Sequence, residues 1–142
     1  MRRAAAGVGL LAGALALGCA TGGDTGGPAA SRVASGKTLF EQHCAACHGV
    51  DARGGGPVAS AMTVAPPDLT RLGEKYGSPL PAARLAEFID GRSMVAAHGR
   101  SDMPVWGRDL YRDVPVHAAT EAQTRTTIRL IIDYLDTLQP GQ

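Results

Sequence analysis

The chain has 142 residues, a formal charge of +1, and acidic and basic side chains interspersed along it. That length suits one domain, and so even a charge balance excludes the basic footprint of a nucleic-acid-binding protein. Two Phe, three Tyr and one Trp promise only a modest apolar core, so a tightly held ligand would add its binding free energy to a small domain's stability.

Met1-Arg2-Arg3 is followed by an apolar run from Ala4 to Leu17. The run is shorter than the roughly 20 residues of a membrane span and has the size of the apolar core of an export signal. It ends Leu15-Ala16-Leu17-Gly18-Cys19, which resembles the lipobox of bacterial lipoproteins, although Ala16 stands where that motif usually has Leu. Residues 1–18 are therefore expected to be a lipoprotein-type signal, with Cys19 the lipidation site that attaches the chain to a membrane; ordinary cleavage nearby, or an uncleaved anchor, is the alternative. Cys19 is the odd one of three cysteines and needs an explanation of its own. Residues 19–32 are Gly-rich and without apolar period, the composition of a flexible tether. Residues 33–142 are left as the folded domain, expected on the extracytoplasmic side.

A first helix is expected from Val33 to Cys47, with Gly36, Leu39, Phe40, His43, Cys44 and Cys47 along one side and Gly49 as its stop. Gly54-Gly55-Gly56-Pro57 and Pro66-Pro67 forbid a long element over 49–67. A short helix fits Asp68 to Tyr76. The next starts at Ser78 as N-cap, carries Leu85, Phe88 and Ile89 on one apolar face, and ends at Gly91. Residues 92–119 read as loop. The last helix begins with a capping box, Thr120 to Gln123, and runs through Ile128, Ile131, Ile132, Leu135 and Leu138 to Pro140-Gly141. No strand pattern is visible. The fold class is all-α, with long loops that something must organise.

Cys44-Ala45-Ala46-Cys47-His48 is the C-x-x-C-H sequence of haem c attachment. Two thiols add across two vinyl groups of one porphyrin, and the adjacent histidine becomes the proximal iron ligand. A thioredoxin-like redox pair would need a βαβ context, and no strand is in sight. A zinc site would need a second Cys/His pair, and only scattered histidines remain. The cofactor expected is one haem c, covalent through Cys44 and Cys47, with His48 on the iron.

An electron carrier needs a second strong axial ligand. Met103 is the candidate: Pro104 holds the chain after it and biases Met103 towards an extended conformation. A thioether opposite histidine stabilises ferrous iron. Met94 and Met62 come next, and His98 would give bis-histidine ligation instead. His43 sits on the wrong side of the motif for the iron, and His117 reads as a loop residue.

Cys44-Ala45-Ala46-Cys47-His48-Gly49, Met103-Pro104-Val105-Trp106-Gly107 and a terminal helix with Tyr134-Leu135 together resemble a class I, mono-haem c-type cytochrome over residues 33–139. The resemblance implies N- and C-terminal helices crossing around one covalent haem, with Gly36, Phe40 and Tyr134 at the crossing. It implies that the Pro57 carbonyl accepts a hydrogen bond from His48, that Trp106 packs at the haem edge or meets a propionate, and that Arg53 and Arg100 can pair with propionates. The expected function is one-electron transfer between extracytoplasmic or membrane redox partners, with no enzymatic activity and no small-molecule substrate. A haem-based ligand sensor or a peroxidase-like enzyme with an open sixth position is the alternative; a zinc or structural module would be colourless.

Overall fold

A computed structural model describes residues 27–92, 103–111 and 118–141. Cys19, Met94, His98, Arg100 and His117, with the expectations attached to them, lie outside the described residues. The described elements are helical, with no strand among them. No helix of the described residues is long and apolar enough to cross a membrane.

Helix α1 spans Pro28–His43. It starts inside the segment expected to be tether, because Pro28 at the first turn has the helical φ built in. The added turn is anchored: the Arg32 guanidinium Nε donates to Asp133 Oδ2 at 3.0 Å. The expected single helix to Cys47 breaks at Cys44, and α2 spans only Ala45–His48. Cys44 N–H still reaches Phe40 O at 2.8 Å, while its own carbonyl accepts from Cys47 at 3.1 Å and His48 at 2.9 Å. Gly49, at φ 77°, ends the turn.

Two 3-10 turns follow, Ala59–Ala61 and Leu69–Arg71, the second leading directly into α3, Leu72–Tyr76. Helix α4 spans Ala82–Asp90 and starts four residues after the expected Ser78 cap. Pro81 explains the delay: a proline turns the preceding residue away from helical angles, so the helix begins after it. Leu80 N–H is held by Asp136 Oδ1 at 2.8 Å instead. Gly91 closes α4 in the left-handed conformation, as expected.

A short helix α5, Trp106–Asp109, interrupts the expected loop. Helix α6 spans Ala118–Thr137. Thr120 lies within it rather than capping it, and is buried with Thr124 and Thr127. The buried stripe of α6 thus extends a turn further toward the N-terminus than the capping box suggests.

The core lies where α1 crosses α6. Phe40 is fully buried against Ile128, Ile131, Ile132 and Leu135, and its ring sits 5.5 Å from that of Tyr134. Each such aliphatic or aromatic side chain contributes about 1.5–3 kcal/mol on burial. Gly36 permits the crossing: a Cβ there would collide with the Leu130 carbonyl and come within 3.0 Å of Tyr134 Cβ. Leu85 brings α4 onto the same core.

Candidate functional site

The end of α1 and the single turn of α2 present three consecutive chemical groups. Cys44 closes α1, Cys47 follows one turn on, and His48 is next. Both cysteines are half-buried and not disulfide-bonded. Burial, with the neighbouring Cys47, pushes the Cys44 thiol up to about 12, so it stays neutral. Burial also holds His48 below the usual imidazole range, opposed by the nearby carbonyl of Pro67.

That carbonyl corrects one expectation. His48 Nδ1–H donates to Pro67 O at 3.4 Å, and Pro57 does not take this role. The Gly-rich loop hugs the backbone of α2, with Gly56 N–H on Cys47 O at 3.1 Å and Val58 N–H on Ala46 O at 3.0 Å. A Cβ at Gly56 would lie 2.6 Å from Ala45 O. Pro57 is thereby left exposed over the α2 backbone. The chain instead returns through Gly54, at φ 86°, whose missing Cβ leaves room for the Pro66 carbonyl. Leu69 N–H then bonds Ala52 O at 2.8 Å, folding the Pro66-Pro67 pair beside the imidazole. With Nδ1 donating to a carbonyl, the neutral ring presents its Nε2 lone pair, the form in which histidine ligates a metal.

The segment 66–69 forms a strap under this histidine. Asp68 accepts from Thr70 N–H at 2.8 Å and from its hydroxyl at 2.6 Å, contacts that hold its carboxyl below the usual range. The exposed Arg53 guanidinium is directed at the same carboxylate, 4.0 Å away. Gln139, which the sequence reading passed over, ties the strap to the end of α6: it accepts from Gly73 N–H at 2.8 Å and donates to Leu69 O at 3.0 Å and Leu135 O at 2.7 Å. Its place beside Pro140-Gly141 reads as an exposed tail, and no signal in the pattern marks it.

On the other flank, Met103 is half-buried and begins the segment that leads through Pro104 and Val105 into α5. Trp106 packs edge-on against His43, ring centroids 5.5 Å apart. His43 immediately precedes Cys44, so this contact brings the Met103 segment to the thiols' end of α1. The segment is fixed from behind as well. Arg92 bonds Asp90 Oδ1 at 2.8 Å and Glu121 Oε1 at 2.7 Å, joining the end of α4 to α6, and Gly107 packs so closely that a Cβ would collide with both Asp90 and Arg92. Met62 is half-buried at the end of the Ala59–Ala61 turn.

Among the described residues no group of three or more His, Cys, Asp or Glu is placed to hold a metal ion on its own, which a zinc site would require. Two half-buried thiols one turn apart, followed by an oriented imidazole, fit a covalently bound haem instead. Comparison with curated proteins and with solved structures gives no match. The sequence profile of the family described as Cytochrome c matches residues 33–139. The all-α crossing of α1 and α6 is that family's class I fold, and the chain belongs to the Cytochrome c family, carrying haem c bound covalently through Cys44 and Cys47.

Proposed function

We propose that the protein is a one-electron carrier in which His48 and Met103 would hold the haem iron, working outside the cytoplasm. The observation that supports this best is the His48–Pro67 pairing, which orients the buried imidazole on one side while the Trp106–His43 contact draws the Met103 segment in on the other. The haem, when bound, supplies an iron that gains and loses one electron without coordinating a substrate. The chain's residues do the rest. Cys44 and Cys47 fix the group covalently, and Pro67 fixes the His48 ring. Pro104 extends the chain at Met103, and a thioether there raises the potential. Trp106 packs against His43 beside the attachment cysteines.

Partners of such a carrier are other redox proteins, met through small transient interfaces. Val50 and Val58 are exposed and flank the attachment segment, suiting a brief apolar contact. Export by residues 1–18 and a lipid on Cys19 would place the domain at a membrane surface; the support is the apolar run and the Leu17-Gly18-Cys19 ending.

The test is a visible spectrum of the exported protein, oxidised and reduced. A low-spin haem c spectrum with a methionine–iron charge-transfer band, lost in Met103→Ala, is the expected result. A high-spin spectrum with ready carbon monoxide binding, indifferent to that substitution, would replace this reading with the sensor or peroxidase-like one.

A further inference from the structure

Gln139 is a buried amide that makes three hydrogen bonds to backbone among the described residues. Two of them hold the strap and the helix it leads into: Nε2 reaches the Leu69 carbonyl at 3.0 Å, and Oε1 accepts from the Gly73 N–H of α3 at 2.8 Å. The third, to Leu135 O at 2.7 Å, fixes the amide on α6 itself. Leu69 is held from the opposite side by Ala52 O, which accepts its N–H at 2.8 Å. Ala52 is fully buried and lies four residues past His48. The Leu69 peptide is thus clamped between α6 and the loop that follows the histidine.

Pro67 stands two residues before this clamp, and its carbonyl is the acceptor for His48 Nδ1–H. At 3.4 Å that hydrogen bond is long, beyond the usual 2.7–3.2 Å. A long bond changes strength steeply with small displacements, so the position of the strap governs how much proton density the imidazole gives up. We infer that Gln139 is a positioning residue for the proximal ligand: by clamping Leu69 and Gly73 it sets the His48–Pro67 hydrogen bond, and through it the reduction potential of the haem. The inference rests on the proposed ligation of iron by His48. Its direction follows from outer-shell chemistry. A stronger hydrogen bond to Nδ1 makes the imidazole a more basic ligand, which favours ferric iron, so a loosened strap moves the potential upward.

The experiment uses the holoprotein with Gln139→Met, which fills the space without a donor, and Gln139→Asn, which keeps the amide at shorter reach. Three quantities are read: the reduction potential, solvent exchange of the His48 Nδ1 proton by NMR, and the thermal midpoint. Gln139→Met is expected to raise the potential and speed that proton's exchange, with Gln139→Asn shifting both the same way by less. Arg32→Ala, which removes an α1–α6 ion pair and touches no strap residue, is expected to move the thermal midpoint alone. A lowered midpoint with unchanged potential and proton exchange in both Gln139 variants would overturn the inference, as would an equal potential shift in Arg32→Ala. A wild-type spectrum lacking a ligated His48 imidazole would overturn the ligation reading as well; a ligated imidazole indifferent to Gln139 overturns the inference alone.

Discussion

Trp106 meets His43 edge-on at 5.5 Å between ring centroids, joining the residue before the first attachment cysteine to the residue three past Met103. The positive edge of one ring faces the negative face of the other, a pairing worth about 0.5–1.5 kcal/mol beyond burial. His43→Ala is expected to cost about that much in denaturant unfolding. Trp106→Ala removes a half-buried indole and is expected to cost more, about 1–3 kcal/mol, below the roughly 3–5 of a fully buried large aromatic. Trp106→Ala should also weaken the methionine–iron band and admit carbon monoxide faster than His43→Ala does, measured by stopped-flow mixing on the reduced protein.

Gly36 lies against the Leu130 carbonyl on the crossing helix. That neighbour is helical backbone and cannot rotate aside as a side-chain end would. Gly36→Ala is expected to destabilise by about 1–3 kcal/mol through overpacking, and Gly36→Val by more. Yield of haem-loaded protein and the denaturant midpoint check both.

The two prolines separate cleanly. Pro57→Ala should leave the reduction potential and the His48 Nδ1 proton as they are, since Pro57 is exposed over α2 and takes no part in the imidazole bond. Pro67→Ala keeps a carbonyl but frees φ, with an unfolded-state entropy effect of about 0.4–1 kcal/mol. It should raise the potential, read by redox titration of the two variants side by side.

Arg92 holds the carboxyls of Asp90 and Glu121 below their usual ranges, chiefly by side-chain hydrogen bonds. A carboxyl depressed in the folded protein contributes stability that is present above its unfolded value and is lost as pH falls through the folded one. The clamp is therefore expected to stabilise at neutral pH and to fade below the ordinary carboxylate values of 3.8 and 4.5. Glu121→Gln should lower the thermal midpoint at pH 7, and the gap to wild type should shrink as the medium is acidified. The effect should also weaken in high salt, because the groups are partly exposed.

Much of this architecture is legible before any coordinates, and for physical reasons. The attachment site is readable because five consecutive residues carry both bonds and a ligand, so no long-range folding has to be anticipated. Gly36 and Phe40 are readable because helical spacing and the family resemblance agree on them, and Tyr134 through the resemblance alone. The acceptor for His48 is not readable in the same way. Pro57 and Pro67 both follow irregular sequence, and only the hydrogen bonds of Gly56, Val58 and Leu69 decide which proline turns back to the ring. Thr120 fails as a cap because tertiary burial of α6 outweighs local preference. Gln139 is hidden for the opposite reason: a polar residue in a terminal Pro-Gly context looks solvated, and its burial depends on strap residues some seventy positions earlier.

The early start of α1 has a mechanical meaning. From Pro28 to His43 the helix is one rod of 16 residues, about 24 Å long at 1.5 Å per residue, and it ends against Cys44. Any anchor upstream of Pro28 acts on one end of a stiff lever while the attachment cysteines ride at the other. Whatever is attached there, the arm from Pro28 to the attachment cysteines keeps its length.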